Sequence, residues 1–531
     1  MGRQLAIYAY AALIFWFFYR DRRLRPMTSA ALWVPLLWFA IIGTRPVSFW
    51  INPGVRPDRV EAYLDGSPLD AAGYMLLLLL GIGILLRRRI NWAQFVASNK
   101  VLVAFFVYCL VSIAWSEFPF VSLKRYVKDC GNIVMIMVIL SETDPVAALR
   151  AVLVRYAYLV IPLSILFIKY MPELGRYYDP WTWQPMYRGV AGEKNALGAT
   201  VAFGALFLIW DLLDRRRARR EALRAAEGAA TPTAPKGSRA PPRLTTAPAV
   251  APRPPPIARY AGRAARKPEI VVAGLPPPMK WYDIGGRLLL FAMALWLLDK
   301  ADSSNAHVCL LLGTLIIFFF SRSSGGKQGL VRNLGWYTLL LICTVLFVYL
   351  VPGVLAALLE SIGEDPTLTG RVDLWADLLA LPNSELVGAG YQSFWLGSGI
   401  ETIWAKYYFK PNQAHNGYID TYLNIGAVGV TLLLTLLFNA GARLRKRMLD
   451  REPVAVLFFA LLAFVIFYNW SEAMFSNLTP AWFMTILATM SYAGIRETAE
   501  TPVARWARQR RAALTQAQAP ANSRPTGAGR A

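Results

Sequence analysis

The chain has 531 residues, 56% of them apolar and only 17% charged, and a formal net charge of +23. Such a balance excludes an ordinary soluble domain and points to a membrane protein. Residues 215–280 hold 15 Lys/Arg against 3 Glu, and residues 496–531 hold 7 Arg against 2 Glu; neither stretch interleaves aromatics with its cations, so nucleic acid is not an expected partner.

Thirteen apolar blocks follow one another at 5–19, 30–43, 71–86, 101–115, 130–140, 150–170, 195–213, 284–298, 305–320, 334–351, 415–438, 453–470 and 477–495. Crossing a hydrocarbon core of about 30 Å takes about 20 residues of helix. The block at 130–140 is short, so the expected number of spans is twelve or thirteen. The first block has no basic leader beyond Arg3 and no small-residue cleavage site, and it runs into Arg20-Asp21-Arg22-Arg23; it reads as a retained span rather than a signal peptide.

Alternation along these spans gathers Arg20–Arg25, Arg87-Arg88-Arg89, residues 215–280, Arg322–Lys327, Arg443–Arg447 and the C-terminal tail on one face. Positive-inside orientation makes that face cytoplasmic and the lipid bilayer the protein's solvent. The expected organisation is an N-terminal transmembrane bundle at 1–213 and a basic, Pro-rich, disordered cytoplasmic loop at 214–282. A C-terminal bundle at 283–495 and a disordered basic tail at 496–531 complete it. The fold class is all-α, a polytopic helical bundle with one large helical periplasmic loop at 352–412. That loop carries 7 acidic against 3 basic residues. Within it, Leu374, Leu378 and Leu381 recur at helical spacing, which predicts a helix from Thr369 to Leu381, stopped by Pro382, with Arg371 and Trp375 on one face.

Chemistry has few candidates in this chain. His307 and His415 are its two histidines. His415, in Ala414-His415-Asn416-Gly417-Tyr418, stands at the entrance of a span on the external face, where an imidazole can act as a base or simply cap a helix end. Arg371 offers five donors to phosphate oxygens, or pairs with Asp373 or Asp377. Lys124, Arg125 and Lys128 after one span, and Arg188 and Lys194 before another, are cations on the side where positive-inside orientation disfavours them. They suggest an anionic ligand held at the external surface. Tyr177, Tyr178, Trp181, Trp183 and Tyr187 crowd one external loop, and Phe394, Trp395, Trp404, Tyr407, Tyr408 and Phe409 the other; such rings stack on sugars or form an interfacial belt. Cys109, Cys130, Cys309 and Cys343 show neither metal-ligand spacing nor a pairing pattern, and read as small buried hydrophobes. No nucleotide-binding or metal-ligand motif appears, and no cofactor is expected.

Four elements occur in order over about 60 residues: Gly370-Arg371-Val372-Asp373-Leu374-Trp375; Gly388-Ala389-Gly390-Tyr391-Gln392-Ser393-Phe394; His415-Asn416; and Gly426-Ala427-Val428-Gly429. This R-x3-W, G-x-G-x3-F, HN, G-x2-G pattern resembles the O-antigen ligase and polymerase superfamily. Trp115-Ser116-Glu117-Phe118-Pro119 with Ser122 and Arg125, and Gly192-Glu193-Lys194-Asn195-Ala196-Leu197-Gly198, look like its exopolysaccharide-polymerase branch. The resemblance implies an inner-membrane enzyme that transfers a glycan from an undecaprenyl-diphosphate carrier on the periplasmic face, without a nucleotide sugar; nothing in the sequence requires a metal. The acceptor would be another glycan in the polymerase branch, or lipid A-core in the ligase branch. By position, Arg371 would bind the carrier's diphosphate and His415 would activate the acceptor hydroxyl or assist the leaving group. Trp375, Asn416, Lys124, Arg125, Lys128, Arg188 and Lys194 would contact diphosphate or glycan. Many relatives carry S-R-T or S-R-G where this chain reads Asp302-Ser303-Ser304-Asn305-Ala306; the missing cation favours polymerisation, with Lys300, Lys124, Arg125 or Arg188 as its replacement. The rival classes are a lipid-linked sugar flippase, which would favour charged residues at mid-membrane depth, and a non-catalytic scaffold engaging polysaccharide assembly proteins through the Pro-rich loop.

Overall fold

The apolar blocks become helices because every backbone polar group in a bilayer must be satisfied within its own segment. A computed structural model describes residues 2–24, 29–52, 67–88, 90–178, 183–230, 281–321, 328–335, 371–407 and 410–491. The principal helices are α1 (Gly2–Leu24), α2 (Trp33–Ile42), α3 (Pro68–Arg87), α4 (Lys100–Val111), α5 (Pro119–Leu140), α6 (Pro145–Tyr170), α7 (Lys194–Ala230), α8 (Trp281–Ala301), α9 (Ser304–Ser321), α10 (Arg371–Ala380), α11 (Gly417–Leu449), α12 (Pro453–Tyr468) and α13 (Pro480–Thr489). Each expected block coincides with helix except 334–351, nearly all of which lies outside the described residues. The protein is an all-α polytopic membrane protein. By length and composition, α3, α6, the first part of α7, α9 and α11 can each cross a membrane among the described residues. A sixth crossing is available if Trp92–Ser98 and Lys100–Trp115, bent by 96°, count as one. One two-stranded antiparallel hairpin interrupts the pattern, β1 (Arg176–Tyr178) with β2 (Pro185–Tyr187).

The block at 130–140 is the inner half of α5, a continuous helix of 22 residues. Lys124, Arg125, Lys128 and Asp129 occupy its outer half, which is why hydropathy alone saw a short segment. Helices from the two halves of the chain interlock, α4 against α11 and α8 against α6. The expected N- and C-terminal bundles therefore form one compact unit, Met1–Asp214 with Met279–Ala499.

A further difference concerns the Pro-rich loop. α7 runs on to Ala230, so the first part of the segment expected to be disordered is helical. Residues 214–230 are almost all Ala, Arg, Leu and Glu, strong helix formers without proline, and Arg217 pairs with Glu221 one turn on at 2.8 Å. Pro232 is the first proline of the segment. Residues 231–280 and 492–531 lie outside the described structure.

Charged side chains at the helix ends are more numerous than the apolar blocks suggest, and they are paired. Asp21 receives Arg155 at 2.8 Å, Asp211 receives Arg150 at 2.7 Å and Arg287 at 2.9 Å, and Asp283 receives Arg20 at 2.5 Å. Four arginines against these carboxylates clamp one end of α1, α6, α7 and α8. Breaking such a buried pair leaves an uncompensated charge, at a cost of about 3–5 kcal/mol.

Candidate active site

Helix α11 is broken at its G-x2-G element. Ile425 and Gly426 leave helical geometry, Gly426 at φ 66°, ψ −171°, a region open essentially only to glycine. A Cβ there would lie 2.3 Å from the carbonyl carbon and oxygen of Leu386. The G-x-G turn fits into this break. Ala389 and Gly390 donate their N–H groups to Leu423 O and Asn424 O at 3.1 and 2.8 Å, while Ala427 and Val428 donate to Glu385 O and Leu386 O. The free ends of the interrupted helix are thus satisfied by one inserted loop. Trp115-Ser116-Glu117-Phe118-Pro119 packs on the same turn: Trp115 Nε1 donates to Val387 O at 3.3 Å, and a Cβ on Gly390 would come within 2.7 Å of Ser116 Cα.

Below the turn, α10 packs by Leu374 and Leu378 into a small core with Phe394, Ile400, Ile403, Ala414 and Leu423. Trp375 is buried there, and its indole N–H donates to Ala414 O at 2.8 Å. It therefore braces the residue before His415 rather than presenting a face to a sugar. Asn416 is the N-cap of α11, its Oδ1 accepting from Tyr418 N at 3.0 Å and Ile419 N at 3.1 Å. Gly417 follows because a Cβ would sit 2.2 Å from Asn469 Oδ1. His415 itself is held at φ 50°, a left-handed conformation uncommon outside glycine.

The connection between α12 and α13 completes the site. Glu472 is 2% exposed. Its Oε1 accepts from Asn195 Nδ2 at 2.6 Å and lies 3.5 Å from Arg371 Nη2, and its Oε2 lies 3.6 Å from His415 Nδ1. Arg371 also donates from Nη1 to Ser471 O at 2.6 Å. Arg371 and His415 thus meet across one carboxylate, and Gly192-Glu193-Lys194-Asn195 reaches the same carboxylate from the N-terminal half. Asp377, an expected partner of Arg371, is instead engaged by Lys406 Nζ at 2.6 Å and Tyr407 Oη at 2.7 Å. Glu193 is solvent-accessible but crowded by protein atoms. That crowding and the nearby Glu472 charge raise its carboxyl above the ordinary value, against the opposing pull of His415 and Arg371.

The remaining candidates divide. Lys194 Nζ lies 3.7 Å from Asp302, so the turn without a cation of its own has one beside it. Lys300, a suggested replacement, pairs with Asp299 at 3.1 Å. Arg188 belongs to the hairpin region, donating to Leu174 O at 3.3 Å and lying over Phe49 and Tyr177. Buried Arg45 is its neighbour and binds the carbonyls of Ala191 and Gly189 at 3.0 and 2.8 Å. Lys124, Arg125 and Lys128 form a separate group on α5. Among the external aromatics, Trp395 donates to Asp420 and Trp404 to Pro411 O, both at 2.8 Å, while Tyr178 and Trp183 stay exposed. Among the described residues, no three His, Cys, Asp or Glu side chains gather as a metal site would require.

Glu472 and Asn195 were not singled out by sequence reasoning as site residues. The available signal for Glu472 was an acid in the short connection between two apolar blocks of a basic protein, Trp470-Ser471-Glu472-Ala473. No family model matches the chain. Over 376 residues it is 24% identical to the "Exopolysaccharide production protein ExoQ" of Rhizobium meliloti (strain 1021), a match covering 69% of this chain and 70% of that protein. The likeness supports the resemblance to the O-antigen ligase and polymerase superfamily.

Proposed function

We propose that the chain is a membrane glycosyltransferase of exopolysaccharide polymerisation, which moves a glycan from an undecaprenyl-diphosphate carrier to a sugar hydroxyl at the periplasmic face of the inner membrane. The observation that carries this reading is Glu472 standing between Arg371 and His415, 3.5 and 3.6 Å from them. A diphosphate leaves readily once its developing charge is met, so the chain needs a cation on the leaving group and a base on the acceptor. Arg371 has five donors, and its two contacts leave others for phosphate oxygens. His415 Nδ1 faces Glu472, so a shift of a few tenths of an ångström makes that hydrogen bond and fixes Nε2 as the base.

In the step so arranged, the acceptor hydroxyl oxygen bonds to the anomeric carbon and its proton passes to His415 Nε2. The bond from that carbon to the diphosphate oxygen breaks, and the electron pair stays on the diphosphate beside Arg371. Likeness to an exopolysaccharide production protein and the absence of a cation in the Asp302–Ala306 turn both favour polymerisation over ligation to lipid A-core.

The test is glycan transfer by the purified chain in detergent, with a lipid-linked oligosaccharide as donor. His415→Ala should slow turnover by roughly 10²–10⁴-fold while donor still binds. Arg371→Lys should fail nearly as badly as Arg371→Ala, because Lys keeps the charge but loses the planar fork. Glu472→Gln keeps an acceptor for Asn195 and should cost at least about tenfold. A flippase makes no product in detergent, so a wild-type chain inert with several such donors would sink the reading.

A further inference from the structure

Helix α5 carries a polar stripe that the transfer scheme does not use. Ser122, Arg125, Asp129 and Asn132 recur at spacings of three and four, on one face of the helix. Ser122 Oγ lies 2.8 Å from Ser116 Oγ, and Ser116 backs onto Gly390 of the inserted turn. Arg125 donates to Gln392 O of the same turn at 2.6 Å. Asn132 donates to Asp129 Oδ1 at 3.0 Å and accepts from Trp38 Nε1 of α2 at 2.8 Å.

Asp129 is the centre of the stripe and is 1% exposed. Besides Asn132, it accepts from Tyr391 Oη at 2.8 Å and from Trp482 Nε1 at 2.8 and 3.1 Å. A carboxylate takes all of these donors, whereas an amide has one acceptor oxygen and would turn its NH2 toward them. Two of the partners belong to pieces of the candidate site. Tyr391 stands in the turn that fills the break in α11, and Trp482 in the first turn of α13, just after the connection that carries Glu472. Those two pieces also meet directly, because Gln392 Nε2 donates to Ser476 O and to Tyr391 Oη, the latter at 3.2 Å. Gln392 and Ser476 stand at φ 50° and 54°, a left-handed conformation uncommon outside glycine, so neither segment holds its shape by local preference. At the start of the connection Asn469 Oδ1 accepts from Met474 N and Phe475 N at 2.8 and 3.1 Å. Glu472 lies between that anchor and the one supplied through Asp129.

We propose that Asp129 is a positioning residue for the transfer: bonded to Tyr391 and Trp482 at once, it fixes the inserted turn against the connection and thereby holds Glu472 between Arg371 and His415. Its effect on rate rests on the transferase reading, and its effect on the two segments on the geometry alone. Asp129 touches no substrate in this scheme and acts through Glu472.

Two measurements on the purified full chain in detergent test it: transfer from a lipid-linked oligosaccharide, and hydrogen exchange read by mass spectrometry. Asp129→Asn keeps the shape but brings an NH2 among N–H donors, and Tyr391→Phe removes one hydroxyl. Each should lower kcat roughly 10- to 100-fold, with KM for the donor within about threefold of wild type. Adding Asp129→Asn to Glu472→Gln should slow that variant by less than about threefold more, since the two act as one unit. Exchange at 388–396 and at 470–479 should rise together in both single variants. Asn99→Ala supplies the comparison, because Asn99 clasps Ser491 N and O at 2.7 Å beyond the other end of α13. It should lower the melting temperature while kcat and exchange in those two segments stay as in wild type. Wild-type kcat in Asp129→Asn, full additivity with Glu472→Gln, or unchanged exchange in either segment would overturn the proposal. The two readings fail separately: a wild type without product sinks the transferase, while a joint rise in exchange still upholds the link that Asp129 makes.

Discussion

Two carboxylates sit close to Arg371 and His415, and their surroundings give them different work. Glu472 is buried, and Arg371, Asn195 and His415 approach it from three directions. At Glu193, crowding together with the Glu472 charge outweighs the pull of His415 and Arg371 and makes the proton harder to lose. A carboxyl harder to ionise folded than unfolded costs stability as pH rises from its ordinary value near 4.5, because the unfolded chain releases the proton first. The melting temperature of Glu193→Gln relative to wild type should therefore climb as pH rises above that value and level off once Glu193 is ionised in the folded chain. A pH-independent difference would mean that Glu193 is not perturbed in the folded chain.

At the scale of elements, the break in α11 does the positioning. It admits the G-x-G turn, which carries Gln392 toward α5 and Phe394 into the small core under Trp375 and Ala414. Gly426→Ala should cost about 1–3 kcal/mol from backbone strain and more from the contact with Leu386, read as a lower melting temperature and weaker transfer. Gly441 lies in the regular part of the same helix, and a Cβ there would have nothing within 4 Å. Gly441→Ala should be neutral or stabilising by up to about 1 kcal/mol. Equal effects of the two would remove the break from the argument.

For the whole molecule, contacts sort the helix ends onto two sides. Arg3 with Glu173 at 2.8 Å, Lys194 with Asp302, Asn305 with Ser471 at 2.6 Å, and Arg371 with Ser471 lie on one. Arg20 with Asp283, Arg88 with Ser141, and Arg443 with Thr489 O at 2.6 Å lie on the other. The Lys/Arg asymmetry leads us to propose that the second side is cytoplasmic. A single cysteine placed by Ala240→Cys, with the native cysteines replaced, should react with an impermeant reagent only after the membrane is opened. Labelling in intact cells would invert the orientation.

Apolar block length and the placement of Lys/Arg clusters were sufficient to identify the helices, because a bilayer imposes one requirement on every spanning segment. The helix from Arg371 was likewise legible, since apolar spacing leaves a local mark, whereas the positive φ of Gly426 came only with the structure. Tertiary structure alone brought the candidate site's side chains together. Glu472 lies 57 residues beyond His415 and Asn195 lies 220 before it, and nothing in either local sequence says that their side chains meet. It also made Trp375 a brace for Ala414 and Asn416 the cap of α11, and made a full helix of α5. A hydrogen bond or a buried charge is a property of two groups and the space around them, and only the packed chain supplies the second group.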